Sequence, residues 1–237
     1  MFCEKELTMQ AFIPSLSTYS HQVDTLFMLI LYIMGFWFFL GQFVIFYFLY
    51  KFRRKEGVPS HYITGEHKKH KNWVKWPHLI LLVCDIVIVI FSCAVWYNIK
   101  QNLPAPKYTV KIITQQWAWT FVDPGADGKL DTDDDIATID ELHVQVNTIY
   151  NFRLTTKDVI HSFSVPVFRL KQDAVPGREI SGWFQATETG THDIQCVEIC
   201  GIGHGIMAAK IIIETEAEHQ QWVAAHTPTI PIKLGSN

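Results

Sequence analysis

The chain has 237 residues, 49% of them hydrophobic and 18% charged, with a formal net charge of −3. That composition excludes a disordered chain and an ordinary water-soluble one, and the length allows one medium domain with added elements or two small ones. The modest charge hides an asymmetry, because residues 1–103 sum to +4 and residues 104–237 to −7. A basic apolar half followed by an acidic polar half describes a chain living in two solvents, and no nucleic-acid partner is expected of it.

The first twenty residues lack a basic segment, a compact apolar run and a small-residue cleavage site, so no secretory signal of the usual form is expected. Cys3 reads as incidental. Residues 26–50 (LFMLILYIMGFWFFLGQFVIFYFLY) then run without a charge. As a helix they would extend about 37 Å, enough to cross a hydrocarbon layer of about 30 Å with some tilt. A second apolar run, residues 79–97, is flanked by Trp73, Trp76, Trp96 and Tyr97 as interfacial aromatics would flank it. Together the runs predict spans over about 26–50 and 77–99. Asp85, near the start of the second run, is an ionisable group placed inside the bilayer and is a candidate for proton handling. The alternative is that it reaches the interface or a partner subunit.

Between the runs stand Lys51, Arg53, Arg54, Lys55, Lys68, Lys69, Lys71 and Lys75 against Glu56 and Glu66. The positive-inside rule places this loop in the cytoplasm or mitochondrial matrix and both termini on the other side. Residues 1–103 are thus read as an N-terminal segment plus a two-helix transmembrane hairpin, and residues 104–237 as an outward-facing domain. A bacterial cytoplasmic membrane with a periplasmic domain is preferred to the mitochondrial inner membrane.

After Pro104 and Pro106 the pattern shifts to a period of two. Short β-branched and aromatic runs at 108–114, 116–122, 143–146, 150–156 and 210–214 predict strands, with shorter ones at 158–166 and 182–186. Many short strands separated by Gly, Pro and Asp turns indicate an antiparallel sandwich or barrel. Thr215 and Glu218 form a capping box that opens a helix over 216–225, and the last dozen residues read as a tail. In the Asp-rich stretch 123–135, Asp131, Asp133 and Asp135 have the alternate spacing of a calcium loop. Ile136 stands where such a loop needs Gly, which favours a solvated hairpin.

Residues 195–207, QCVEICGIGHGIM, carry the chemistry. Two thiols, an imidazole and a thioether lie within thirteen residues, among glycines that let a loop fold tightly. Thiolate with thioether favours copper, and imidazole suits it. A zinc site accounts for the thiols and the imidazole but has little use for Met207. A disulfide between Cys196 and Cys200 leaves both His204 and Met207 unexplained. Cys84 and Cys93 sit in an apolar run as inert thiols, so the five cysteines describe no disulfide framework. Nor does any Cys-x-x-Cys-His provide for covalent haem.

The pattern C-x-E-x-C-G-x-x-H-x-x-M, here Cys196, Glu198, Cys200, Gly201, His204 and Met207, resembles the dinuclear copper motif of the cytochrome c oxidase subunit II family. Asp158-Val-Ile-His161-Ser-Phe resembles the segment that holds the family's other histidine. The run VPVFRLKQDAVPGR, the span ending in YKFRRK and the Trp117-Ala-Trp119 pair are also similar, so the resemblance covers essentially the whole chain.

The resemblance implies a cupredoxin-like, all-β Greek-key domain holding two copper ions in a CuA-type centre. Cys196 and Cys200 would bridge both coppers. His161 and Met207 would complete one, and His204 with the backbone carbonyl of Glu198 the other. It further implies a magnesium ion at the Glu198 side chain, electron arrival at Trp117, and attraction of a basic cytochrome c by Asp158 and its neighbours. The partners would be a haem-containing catalytic subunit I, other membrane subunits and the lipid bilayer. The catalytic haem–copper site would lie in that partner, with no catalytic residue in this chain. One departure stands out: seven residues before Pro77, where the family often has a glutamate, this chain has His70. That leaves nitric oxide as an alternative final acceptor to oxygen, and a membrane-anchored copper-binding protein without a respiratory role as a third reading.

Overall fold

A computed structural model describes residues 13–59 and 63–228; Cys3 and most of the expected C-terminal tail lie outside them. Contacts group the chain into two compact units. One holds the residues up to His21 together with those from Asn98 onward, and the other is Gln22–Tyr97.

The second unit is built from two helices, α1 (Ser20–Lys51) and α2 (Lys68–Trp96), the latter followed by a wider π turn, Tyr97–Gln101. Both are long and apolar enough to cross a membrane, and neither apolar stretch is buried by the rest of the chain. α2 starts nine residues before Pro77, where sequence placed the start of the span. The basic segment KKHKNWVKW is made of residues that a helix tolerates, and it extends the apolar run. Asp85 consequently lies well inside α2, with its side chain exposed and, among the described residues, no hydrogen-bonding or charged partner.

The first unit is a sandwich of two five-stranded sheets. One has the order β3-β2-β1-β5-β8, from β1 (Tyr108–Gln115), β2 (Ala118–Asp123), β3 (Ile136–Ile139), β5 (Ile149–Thr156) and β8 (Ile180–Gln185). The other has the order β4-β10-β9-β6-β7, from β4 (Glu141–Gln145), β6 (His161–Val165), β7 (Leu170–Ala174), β9 (Gly190–Cys196) and β10 (Ala208–Glu214). Pairing is antiparallel except between β1 and β5 and between β4 and β10. These two parallel pairs arise because the chain changes sheets between them, as in a Greek key. In β1 and β5 every second side chain is buried, so Val110, Ile112, Phe152 and Leu154 meet Trp119, Phe121, Phe163 and Phe184 in one core. This is the cupredoxin-like architecture expected. The strands β3, β7 and β9 were not anticipated.

The segment before α1, read from sequence with the membrane hairpin, belongs to the sandwich. Leu16 N–H donates to Val167 O (2.8 Å), Thr187 N–H to Leu16 O (3.0 Å) and Thr18 N–H to Gln185 O (3.2 Å). Leu16 and Tyr19 are buried, and the Tyr19 ring meets Trp183 edge-on at 5.0 Å. From the other side of the hairpin, Ile99 O accepts from Trp183 Nε1–H (2.9 Å) and Lys100 Nζ donates to Gln172 (2.7 Å). The boundary expected at residue 103 therefore falls a few residues beyond the one drawn by contacts, and residues 13–21 join the domain across it.

Helix α3 (Glu216–His226) opens on the expected capping box and is docked by an imidazole–carboxylate cluster. The Glu214 carboxylate lies 3.0 Å from His143 Nδ1 and 3.1 Å from His219 Nδ1, and the Trp222 ring stacks on His143 at 4.2 Å. Asp123 sits beyond His219 at 3.9 Å. Burial pushes the Asp123 carboxyl up to about 6, against the opposing pull of His219 and the Gly125 N–H, and burial also raises Asp135. The loop between β2 and β3 satisfies its acids internally or with cations. Asp134 accepts from Asp127 N–H, Asp135 from Asp131 N–H, and Asp131 faces Lys111 and Arg153. These contacts are those of a self-capped hairpin loop.

A raised carboxyl stabilises the fold fully below its unfolded value near 3.8 and loses that contribution as pH rises through about 6. Asp123→Asn removes this loss. The variant is expected to be more stable than the parent at pH 8, by up to about 3 kcal/mol, and nearly equal at pH 4, as urea denaturation at the two pH values would measure.

Candidate metal centre

Two strand ends and one loop assemble the site. His161 is the first residue of β6 and Cys196 the last of β9, and the two strands pair through Phe163 and Cys196. Between β9 and β10 the chain makes a tight loop with a 3-10 turn over His204–Ile206, closed where Cys196 N–H donates to Met207 O (3.2 Å). Cys200, His204 and Met207 ride on that loop. His161, Cys196, Cys200 and Met207 are buried and His204 is partly exposed.

Their donor atoms converge. Cys196 Sγ lies 3.8 Å from Cys200 Sγ, 3.9 Å from His161 Nδ1 and 3.4 Å from the Glu198 carbonyl oxygen. Cys200 Sγ lies 3.7 Å from His204 Nδ1 and 3.8 Å from Met207 Sδ. Two ligands each about 2.3 Å from one tetrahedral metal are roughly 3.7 Å apart, so these are spacings suited to shared ions. The His161, Cys196 and Cys200 donors form a metal-competent group on their own. A soft set of two sulfurs, a thioether and two imidazoles fits copper. Burial, with the neighbouring Cys196, pushes the Cys200 thiol up to about 11. Without a cation the Cys200 thiol stays protonated, and a metal would have to make the thiolate there.

Asp158 holds the site from outside. Its carboxylate accepts from His161 Nε2–H (2.8 Å), Gln116 N–H (2.6 Å) and Val159 N–H (2.6 Å). Burial would raise this carboxyl, but the bonds from His161, Gln116 and Val159 outweigh it and hold it below the usual carboxylate range. An ionised acceptor at Nε2 fixes the proton there and turns the Nδ1 lone pair toward the thiols.

Trp117 covers the loop. Its Nε1–H and the Gln116 side-chain amide both donate to Cys200 O, at 3.2 and 2.8 Å. Its ring lies so close to Gly201 and Gly203 that a Cβ on Gly203 would stand 2.4 Å from it, and Gly201 has φ +119. Trp117 remains 41% exposed whereas Trp119 is fully buried, which separates the two members of that pair. Around it the copper loop presents Ile199, Ile202 and Ile206, all strongly exposed. The Glu198 side chain is partly exposed and, among the described residues, unpaired.

The family model described as "Cytochrome C oxidase subunit II, periplasmic domain" matches residues 124–215. The "Alternative cytochrome c oxidase subunit 2" of Bradyrhizobium diazoefficiens is 31% identical over 199 residues, which cover 75% of this chain and 70% of that one. The chain belongs to the cytochrome c oxidase subunit II family. A Cereibacter sphaeroides cytochrome c oxidase subunit 2 is 30% identical, over 76% of this chain and 68% of its own. The match to the Thermostichus vulcanus subunit 2, 39% identical, covers 54% of this chain and 37% of that longer one. Among solved structures, the periplasmic domain of subunit II of cytochrome oxidase from Bradyrhizobium japonicum is similar. It shows 30% identity and a TM-score of 0.47, over 52% of this chain and 95% of that one. Subunit II family members are copper-binding subunits of haem–copper oxidases, and the thiol–imidazole cluster here is consistent with a copper site. The two apolar helices, with the match to a periplasmic-domain family, support a membrane-anchored subunit whose sandwich domain lies outside.

Of the residues singled out by sequence, the fold brings His161, Cys196, Glu198, Cys200, His204 and Met207 together and sets Asp158 and Trp117 against them. Asp85 belongs to the other unit. Gln116 was missed, since its bond to Cys200 O depends on how the β1–β2 turn meets a loop more than eighty residues away.

Gly203→Ala should displace the Trp117 ring. The expected result is a fold destabilised by about 1–3 kcal/mol, with Trp117 fluorescence more easily quenched by iodide than in the parent.

Proposed function

We propose that this chain takes electrons from cytochrome c and passes them, through a dinuclear copper centre, to haem in the catalytic subunit of a respiratory oxidase that reduces oxygen. What carries the reading is the partnering of the two thiols. Cys196 has His161 and the Glu198 carbonyl beside it, and Cys200 has Met207 and His204. Each thiol thus touches one member of each ligand set, His161 with Met207 and His204 with the Glu198 carbonyl, as bridging thiolates require. Copper held by these thiolates would supply a site in which one electron is shared, and because the frame already fixes the ligands, little would need to move when the charge changes.

The protein's own groups do the rest. The sandwich excludes water from His161, Cys196, Cys200 and Met207, and the loop fixes the sulfurs before metal arrives. Trp117 offers an exposed indole whose Nε1–H is bonded to the carbonyl of a ligand, which makes it the contact for the donor. Asp158 orients His161 and, with the acids of the domain, adds negative potential that steers a basic cytochrome c. The Glu198 carboxylate is the group available to a magnesium ion facing subunit I, and Asp85 the group available for proton handling among the membrane subunits. The relatives are named as oxidases, which favours oxygen over nitric oxide as acceptor, and their bacterial sources favour a cytoplasmic membrane with a periplasmic copper domain.

The decisive measurement is copper per chain in the purified complex, by mass spectrometry, together with its electron paramagnetic resonance spectrum. Two coppers sharing one unpaired electron are expected; one copper, or zinc, would overturn the reading. Asp158→Asn should lower copper affinity about 10–100-fold while leaving the unloaded fold intact, as competition with a chelator would show. Trp117→Ala should keep both coppers but slow their reduction by cytochrome c in stopped-flow experiments.

A further inference from the structure

The C-terminal end of α1 carries a second constellation, far in sequence from the copper ligands. Tyr47, Tyr50, Lys51, Arg53 and Lys55 line a notch of about 210 Å³. The cations are held by rings. Lys51 Nζ donates to Tyr47 Oη at 2.8 Å and sits 5.2 Å from that ring's centre, and the Arg53 guanidinium lies 4.9 Å over the Tyr50 ring. Among the described residues no carboxylate comes within ion-pair distance of Lys51, Arg53 or Lys55, although Glu56 follows directly in sequence.

Three cations drawn into one notch repel each other, and the α1 carbonyls that end at Lys51 offset only part of that repulsion. An anion seated between them would relieve the rest. The notch stands where a membrane-spanning helix leaves the hydrocarbon layer, on the side the basic loop faces, so the anion present there at high local concentration is a phospholipid phosphate. The helix surface leading down from the notch is apolar and exposed. Phe43 stacks toward Tyr47 at 6.4 Å, Phe46 is 65% exposed, and nothing among the described residues covers them. A free phosphate would use the cations alone, whereas a lipid would use the cations and the aromatic face together.

We propose that this notch is a binding site for an anionic phospholipid, its phosphate held by Lys51, Arg53 and Lys55 and an acyl chain lying along the Phe43–Tyr47 face. The site is independent of the copper relay, so neither reading falls with the other.

The test uses the purified oxidase complex in mild detergent, titrated with phosphatidylglycerol and followed by native mass spectrometry. Copper and haem content serve as the check on assembly. Lys51→Gln/Arg53→Gln/Lys55→Gln is compared with Lys68→Gln/Lys69→Gln/Lys71→Gln, which removes the same charge from the same loop. The first variant is expected to bind phosphatidylglycerol about tenfold or more weakly, and the second to bind like the parent. The single variant Arg53→Gln should show a smaller loss in the same direction if the triple variant does not assemble. Phosphatidylcholine should bind weakly, and millimolar inorganic phosphate should not displace the bound lipid. Equal losses in both triple variants would mean a diffuse charge effect and overturn the site, as would no loss in either. Displacement by inorganic phosphate would make it a simple anion site and likewise overturn the proposal.

Discussion

The outer domain answers to one constraint: two thiols, two imidazoles, a thioether and a carbonyl must be held so that each has another donor within about 4 Å, most of them out of water. None of these groups satisfies the others well. The sulfur contacts, at 3.7–3.9 Å, are far weaker than ordinary hydrogen bonds, and burial with the neighbouring Cys196 raises the Cys200 thiol. The cluster does not hold itself together, so the frame must. That frame is the register of β6 against β9, which sets His161 and Cys196 at neighbouring strand ends, and the clamp from Cys196 N–H to Met207 O, which closes the loop on itself.

The frame has a second layer in which single groups serve two masters. Asp158 grips the backbone at Gln116 and the ring of His161 with one carboxylate, so the turn that carries Trp117 and the candidate ligand His161 share an anchor. The Cys200 carbonyl receives both Trp117 and Gln116, so the indole proposed as the point of electron arrival is bonded to the backbone of a proposed ligand. The proposed docking and metal sites therefore share one frame, with Gly201 and Gly203 bare where the Trp117 ring approaches the loop.

How far this was legible depended on the range of the interaction. Strands β1, β5 and β10 show alternation because one face of each meets the core, and the helix α3 carries its own capping box. Strand β9, GTHDIQC, buries only Ile194 and Cys196, and β7 and β3 are short, so their membership in sheets comes from neighbours and not from pattern. The clustering of the donors was legible because soft donors crowded into thirteen residues have few other uses. His161, thirty-five residues upstream of Cys196, was found through resemblance, not periodicity. The dual grip of Asp158, the Gln116 bond and the strap of residues 13–21 depend on contacts between distant segments, and a local reading has no access to them.

That strap has a consequence for how the protein is made. Thr18 and Leu16 bond to Gln185 and Thr187, residues synthesised after both membrane helices and most of the sandwich. The N-terminal lead must therefore cross the membrane early, and these two bonds wait until β8 emerges on the same side. Contacts of such wide sequence separation form late. The strap is thus a closing stitch. Its formation reports that insertion has placed both ends of the hairpin on one side, which is also the side on which the copper loop must meet its metal.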